Sequence, residues 1–351
     1  MKIQLNFPIN GEVINPTYLS KSANGGLELP IRGTITDEIP EQLFINGAPV
    51  TINGNEFLGG IMPRNGFNHL RIDAADDSLE VKFYYDDTLE KRYNFFIDDN
   101  SFAFTEITRK RPQSIFDIHY LGKLKEFHEK YQACFTLNSF FGNDHDAAHW
   151  TLDELPTEYR QEWEANSNWL KIAFHADSEF PGAPYGKAYP EQYKIHHHKF
   201  VTCAKDKFGG DTLIEPVLTH FYDISDAVSR HYAVAQGMRF YCTRQSFFDD
   251  LQQRYQRKFT AMYDFEFRQF LIPVVLFCNL EDQTALSEKL TRACEEPHTT
   301  LINIGSHEQY SFEYYSNYIP DHFERIELAL KIFSEHKFKP TFFTNSALTA
   351  D

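Results

Sequence analysis

The sequence predicts an α/β protein in which a small all-β sandwich precedes a deformed (β/α) barrel of seven or eight strands. Three observations support this prediction. Short segments of alternating apolar and polar residues, separated by turns, fill residues 27–85. From residue 93 onward, apolar strand-like runs alternate with amphipathic helical segments, as in a parallel sheet covered by helices. The apolar content of 42% is enough to fill a sizeable core.

The sandwich is predicted over residues 1–89. Its segments LELPIRGTI, EQLFING, APVTING, NHLRIDA and SLEVKFYYD alternate as half-buried antiparallel strands do, and Asn-Gly, Gly-Gly and Asp-Asp pairs separate them. The order of the "FING" turn, "NEFLGGI" and "GFNHLRID" is similar to that in the immunoglobulin-like accessory modules of carbohydrate-active enzymes. This resemblance implies an accessory domain with two packed sheets.

The barrel is predicted over residues 90–351. Its predicted strands are Tyr93–Ile97, Cys134–Phe141, Trp169–His175, Glu215–His220, Met238–Arg244, Ile272–Phe277, Thr299–Gly305 and Pro340–Thr344. Helices are predicted between most of them, and Ser114–Tyr131 and Pro320–Lys337 have the periodicity of core-facing helices. An open doubly wound sheet is the alternative, but no glycine-rich phosphate loop follows the first strand.

Charge and composition restrict the class of partner. A formal charge of −16 without a long basic stripe argues against nucleic acid and favours a neutral sugar. Five widely spaced cysteines predict reduced core residues and no disulfide framework. The N-terminus does not resemble a secretory signal, and the longest apolar run, Phe270–Cys278, is far shorter than the roughly 20 residues of a membrane span. We therefore expect a cytoplasmic protein without a membrane partner, and its oligomeric state stays open.

Polar side chains follow most of the predicted barrel strands. The first strand ends in Asp98-Asp99-Asn100 and the third in His175, and reactive groups of a parallel barrel gather at such strand ends. The residues expected to contact substrate are Asn138, Asp177, His220, Asp223, Glu308 and Tyr310.

These strand ends resemble the polysaccharide deacetylase family. The matching stretches are "FFIDDN", "LGKLKEFHEKY", "CFTLNSFF", "WLKIAFHADSEFP" and "LINIGSHEQY". The resemblance implies a metal-dependent hydrolase that removes acetyl groups from a carbohydrate. It implies Asp98 as the base, Asp99 and His175 as metal ligands, and His307 as the general acid. The family usually has a second histidine four residues after His175, where this chain has Glu179, so we expect Glu179 as the third ligand.

One imidazole and two carboxylates are a suitable donor set for a divalent cation. We expect zinc, with manganese, cobalt or nickel as alternatives, because oxygen ligands shift the preference toward harder metals. Such a cation can bring the pKa of its water from about 15.7 toward about 7 and polarise an acyl carbonyl. Asp98 and His307, on opposite sides of the cation, could then act as base and acid.

Two other functions stay open. A barrel that cleaves glycosidic bonds would use two of Asp98, Asp177 and Glu308 roughly 5–10 Å apart, and no metal. A non-catalytic carbohydrate-binding relative would keep the barrel without the reaction, and Glu179 at the position of the family's histidine favours this alternative. The run His196–His198 lies in a helix predicted over Pro190–Lys205 and is interpreted as part of a solvated face.

Overall fold

The computed structural model describes residues 2–21, 25–75, 77–180, 182, 185, 191–217, 220, 227–243 and 261–343. These residues fall into two compact units. The first unit contains the described residues of two ranges, Met1–Glu90 and Ser246–Leu271. The second unit begins at Lys91 and resumes at Ile272.

The described elements are numbered in chain order. The strands are β1 Lys2–Phe7, β2 Val13–Ile14, β3 Ser20–Lys21, β4 Leu27–Thr36, β5 Phe44–Ile45, β6 Ala48–Pro49, β7 Thr51–Asn53, β8 Glu56–Ile61, β9 Gly66–Ala74, β10 Asp77–Tyr85, β11 Arg92–Asn100, β12 Phe135–Phe140, β13 Leu170–Ala176, β14 Phe240–Thr243, β15 Met262–Asp264, β16 Gln269–Pro273, β17 Leu301–His307 and β18 Lys339–Pro340. The α-helices are α1 Phe102–Lys110, α2 His119–Tyr131, α3 Arg160–Ala165, α4 Gln192–Phe208, α5 Ala227–Ala235, α6 Gln283–Glu295 and α7 His322–Glu335.

Two sheets of the first unit share one apolar core. One sheet has the order β1-β4-β8-β7 with β3 beside β4, and the other has the order β2-β10-β9-β5-β6. Exposed and buried residues alternate strictly along β1, because successive side chains of a strand point to opposite faces. The core includes Ile31 and Phe57 from one sheet and Leu70 and Phe83 from the other.

A predicted Asn-Gly turn joins β5 to β6. Asn46 and Gly47 have φ of 49° and 81°, the left-handed values that a two-residue hairpin turn requires at both central positions. Here the local turn chemistry of the sequence determines the pairing of the two strands.

Strand β15 and the first three residues of β16 also belong to the first unit, although they lie within the predicted barrel domain. The backbone N–H of Tyr263 donates to the carbonyl of Gly11 at 2.6 Å, and the Phe270 ring packs edge-on against Tyr84 at 5.1 Å. Gly11 has φ of +83°, and a Cβ there would lie 2.5 Å from the Tyr263 carbonyl oxygen. A glycine is therefore required where the two chain segments meet.

The second unit is built on a parallel sheet with the order β13-β12-β11-β17. Residues beyond both edges continue the parallel pairing, with bridges from Ile172 to Leu213 and from Phe277 to Gly305. Strand β18 pairs in parallel with the start of β11. The α/β class is thereby confirmed, and closure of the sheet into a barrel stays a prediction.

Helices α2 and α7 each bury one apolar face, as the helical periodicity of Ser114–Tyr131 and Pro320–Lys337 predicts. Tyr120, Leu124 and Phe127 of α2 are buried at helical spacing, as are Ile326 and Phe333 of α7. The Phe333 ring stacks on Tyr93 of β11 with ring centroids 4.1 Å apart. The hydroxyl of Tyr120 in α2 donates to Asn100 Oδ1 of β11 at 2.9 Å, so both helices contact the strand that carries Asp98 and Asp99.

All five cysteines are free. Cys242, Cys278 and Cys294 are buried, whereas Cys134 and Cys203 are half-buried and are not the core residues that the sequence predicts. In the described ranges, no helix combines the length and the apolar character that crossing a bilayer requires.

A buried histidine fixes the segment that follows β17. His322, 1% exposed, makes hydrogen bonds to the hydroxyls of Ser306 and Ser311 at 2.6 and 2.7 Å. Burial lowers the pKa of His322 to about 3. The folded protein therefore keeps this imidazole neutral at pH values where the unfolded chain binds a proton.

We expect this histidine to make folding stability pH-dependent. Below the unfolded pKa of about 6.5, the unfolded chain gains a proton that the folded chain excludes, so stability falls by about 1.4 kcal/mol per pH unit down to about pH 3. Urea denaturation at several pH values in this range gives the free energy of unfolding as a function of pH. Its slope should be smaller for His322→Gln than for the wild type by about 1.4 kcal/mol per pH unit. Parallel stability curves for the two proteins would contradict this expectation.

Candidate metal centre

Strand β11 brings two adjacent carboxylates into the sheet interior. Every residue of β11 is buried, and its register with β12 shifts by one between Ile97 and Asn100. This bulge contains Asp99, whose φ of 65° is unusual for a residue other than glycine. Such strain at a strand end is often associated with function, because it turns a side chain that a regular strand would direct elsewhere.

Asp99 lies between two buried histidines. Its Oδ1 is 3.3 Å from Nε2 of His175 at the end of β13 and 3.3 Å from Nδ1 of His220. One ligand atom from each residue lies within 4.8 Å of the other two. All three residues are buried, with 2–6% of their surface exposed.

This geometry suits a cation better than it suits hydrogen bonding. In the described part of the chain, Oδ1 of Asp99 has no partner with acceptable hydrogen-bond geometry, despite its burial. Ligands that lie about 2.0–2.2 Å from a tetrahedral ion are separated from one another by about 3.3–3.6 Å. The 3.3 Å distances from Asp99 Oδ1 to His175 and to His220 therefore fit a site for a divalent cation.

The protonation of the group also fits a metal. Burial lowers the pKa of His175 to about 4, so its imidazole is neutral near pH 7. Burial by itself raises the pKa of Asp99, but contacts with His175 and His220 outweigh it and hold this pKa well below the ordinary value. An ionised carboxylate and a neutral imidazole are the forms that bind metal.

Three buried amides hold the polar residues of the centre. Asn138 Nδ2 donates to Asp98 Oδ1 at 2.7 Å, and Gln309 Nε2 donates to Asp99 Oδ2 at 2.8 Å. The third amide, Asn279, contacts Nδ1 of His307 through its Oδ1 at 2.9 Å. With that oxygen as acceptor, Nδ1 of His307 carries the proton and Nε2 is left to exchange one. One amide thus bonds to each of Asp98, Asp99 and His307.

The opposite end of each amide has no hydrogen bond within the described ranges. These atoms are Asn138 Oδ1, Asn279 Nδ2 and Gln309 Oε1. A buried polar atom without a partner costs about 1–3 kcal/mol. Such a cost at three amides around one centre is typical of a site that binds water or ligand.

Asp98 and His307 differ from Asp99 in their environments. Burial and the charge of Asp99 raise the pKa of Asp98 well above its ordinary value, against the opposing hydrogen bond from Asn138. Burial lowers the pKa of His307. A carboxylate of increased basicity and a neutral imidazole thus lie on neighbouring strands, where Asp98 and His307 are register partners.

Glu179, the expected third ligand, does not join Asp99 and His175. Its Oε2 contacts Nε2 of His145 at 2.5 Å. Burial raises the pKa of Glu179, and contact with His145 lowers it. The third member of the group is instead His220, which the sequence analysis expects as a substrate contact.

Glu308, which the sequence predicts as a substrate contact, bonds to the backbone at the start of α1. Its carboxylate is fully buried and accepts hydrogen bonds from the backbone N–H groups of Ser101, Phe102 and Ala103 at 2.7–2.8 Å. Burial raises the pKa of Glu308 to about 7 in spite of these bonds. A carboxylate at this position satisfies the first N–H groups of α1 and interacts favourably with the helix dipole.

The other expected substrate contacts are more dispersed. Asp177 pairs with Lys199 at 2.9 Å, and Tyr310 is half-buried with its ring 5.9 Å from His307. Asp223 lies outside the described residues. In α4, His197 packs flat near Tyr193 whereas His198 is exposed, so the histidine run points in different directions.

The sequence did not predict two of the three amides that bond to the centre, Gln309 and Asn279. Gln309 lies two residues after His307 in "SHEQY", and Asn279 lies beyond the predicted strand Ile272–Phe277. The only local signal for either was a polar residue near a strand end, which is common in loops.

Comparisons with known proteins leave the chain without a family assignment. No family model matches the sequence, and no curated protein matches it. A solved structure similar to this chain is a peptidoglycan N-acetylglucosamine deacetylase in complex with 4-naphthalen-1-yl-N-oxidanyl-benzamide, with a TM-score of 0.40 and 8% identity. That similarity covers 73% of this chain and 87% of the other.

Proposed function

We propose that this chain is a metal-dependent hydrolase that removes acetyl or related acyl groups from a carbohydrate. The observation that carries the proposal is the position of Asp99 Oδ1, 3.3 Å from both His175 Nε2 and His220 Nδ1, beside a second buried carboxylate, Asp98. A three-ligand site of this kind leaves a coordination position open for water or substrate, as in catalytic metal centres.

Zinc is the cation that this donor set favours. Two imidazoles and one carboxylate are softer donors than the one imidazole and two carboxylates expected from the sequence. His220 in place of Glu179 therefore strengthens the expected preference for zinc and weakens the case for manganese, with cobalt and nickel as alternatives. When bound, the cation would supply Lewis-acid polarisation of an acyl carbonyl and increase the acidity of water.

The protein's own groups would perform the proton transfers. Asp98, with its raised pKa and its hydrogen bond from Asn138, is suited to accept a proton from the attacking water. His307 is neutral, and Asn279 directs its Nε2 away from the amide contact. Once protonated, His307 could donate to the leaving nitrogen or oxygen of the sugar.

A sugar fits the chemistry around the centre. Phe180 is 59% exposed and packs near His145, and the half-buried Tyr310 lies next to His307. Exposed aromatic faces stack on the apolar faces of sugar rings. The net charge of −16 favours a neutral glycan over an acidic one.

Among Asp98, Asp177 and Glu308, the carboxylates expected for a glycosidase, we find no suitable pair. Glu308 is bonded to three backbone N–H groups at the start of α1, and Asp177 is paired with Lys199. Neither contact favours a role opposite Asp98 as acid or nucleophile.

We further propose that the parallel sheet closes into a (β/α) barrel and that the two-sheet unit is an immunoglobulin-like accessory sandwich.

Acetate release from acetylated sugars by the zinc-loaded protein tests the proposal. We expect turnover by the wild type, and a decrease in kcat of about 10²–10⁴-fold for Asp98→Asn, because that change removes the base. The zinc content of Asp98→Asn should stay that of the wild type. Bound zinc without turnover on any acylated glycan would favour a binding protein, and absence of zinc would favour the glycosidase.

A further inference from the structure

Gln309 divides the two oxygens of Asp99 between different partners. Its Nε2 donates to Oδ2 at 2.8 Å, whereas Oδ1 is directed to His175 and His220. An ionised carboxylate only accepts hydrogen bonds, so the amide must present its nitrogen to Asp99. Gln309 is 3% exposed, so this hydrogen bond lies in a region of low dielectric, where it is strong.

The backbone around Gln309 is held at several points. Ser306 and Ser311, on either side of it, are both bonded to the imidazole of His322. The backbone N–H of Glu308 donates to the carbonyl of Asp98 at 2.9 Å, which ties the segment to β11 next to Asp99. Gln309 is thus a fixed donor on a rigid support, as an outer residue of a metal site should be.

We propose that Gln309 is the positioning residue of Asp99 and restricts it to binding a cation through Oδ1 alone. The inference rests on the proposed function, since it concerns the same cation. If Oδ2 were released, rotation of the carboxylate would let both oxygens bind and would fill a position that substrate or water needs. The hydrogen bond from Gln309 opposes that rotation and keeps the coordination number low.

Cobalt(II) reports on this claim without any measurement of activity. Four-coordinate Co²⁺ absorbs visible light more strongly than five- or six-coordinate Co²⁺. Titration of the metal-free full chain with Co²⁺, followed by visible absorption and by competition with a chelator, gives both the coordination and the affinity. The variants are Gln309→Met, which has similar length and no donor, and Gln309→Asn, which withdraws the donor by one methylene.

We expect Gln309→Met to bind Co²⁺ about 10–100-fold more weakly than the wild type, the usual cost of losing an outer partner of a metal ligand. Its absorption per bound Co²⁺ should also be weaker, and Gln309→Asn should show both changes even if Gln309→Met fails to fold. The matched control is Asn94→Leu. It removes a buried amide of β11 that is bonded to Asn303 at 2.9 Å. It should lower stability without changing the Co²⁺ spectrum.

Wild-type absorption and affinity in a folded Gln309 variant would overturn the inference and leave the proposed function intact. Weaker Co²⁺ binding and absorption in Asn94→Leu, equal to those of the Gln309 variants, would also overturn it, because the effect would then be a general consequence of destabilisation. Failure of the wild type to bind Co²⁺ would overturn the proposed function together with the inference.

Discussion

Replacing His220 with alanine is expected to lower the affinity of the chain for Zn²⁺ by at least about 100-fold, since even the loss of an outer partner costs 10–100-fold. His220 Nδ1 is 3.3 Å from Asp99 Oδ1 and belongs to the group of three candidate ligands. Isothermal titration or chelator competition measures the effect. The catalytic activity should disappear with the metal.

Glu179→Ala is the matched control for this change. Glu179 occupies the position where the sequence resemblance expects the third ligand, but its carboxylate contacts His145. Its removal should leave Zn²⁺ affinity nearly unchanged. A strong loss in Glu179→Ala together with tight binding in His220→Ala would reverse the assignment of the third ligand.

Truncating Glu308 is expected to produce the largest loss of folding stability among the site residues. Glu308→Ala leaves the N–H groups of Ser101, Phe102 and Ala103 without their acceptor in a buried environment. Loss of such a helix cap, with unsatisfied donors left behind, should lower the free energy of unfolding by about 2–4 kcal/mol. Urea denaturation monitored by circular dichroism measures it.

Two variants separate this structural role from a substrate contact. Glu308→Gln keeps one acceptor oxygen and should recover part of the lost stability, whereas exposed Glu313→Ala should change stability by no more than about 0.5 kcal/mol. If Glu308→Ala kept wild-type stability and lost only sugar binding, the residue would be a substrate contact and the helix-capping role would be wrong.

Local patterns predicted the elements that carry most of the centre. Apolar runs marked β11 and β13, and the polar residues directly after them include Asp99 and His175. Because β11, β12 and β13 are adjacent parallel strands, their carboxyl ends share one edge of the sheet. The structure brings Asp99 and His175 together for this reason.

The third member of the group could not be predicted in the same way. The sequence predicts a strand over Glu215–His220, but its described residues 215–217 form no strand. Leu213, before them, makes only an isolated parallel bridge with Ile172, so strand geometry alone does not place His220 beside His175. Glu179 had the expected spacing from His175, but spacing along the chain does not determine the direction of a side chain beyond a strand end. Its partner, His145, comes from a loop after β12.

The β15–β16 hairpin shows a second limit of sequence reasoning. An apolar run such as Phe270–Cys278 has the same local pattern in either unit. Its first residues pack with the first unit, whereas Val275 donates its backbone N–H to Asn303 in the second. Tertiary contacts with Gly11 and Tyr84, not local preference, decide the placement of the hairpin.

Anomalous diffraction at the zinc edge, from crystals grown with Zn²⁺ at neutral pH, tests the central claim most directly. A peak about 2.0–2.2 Å from Asp99 Oδ1, His175 Nε2 and His220 Nδ1 is the expected result. A peak held by His145 and Glu179 instead, or no peak near Asp99, would contradict the proposed metal centre.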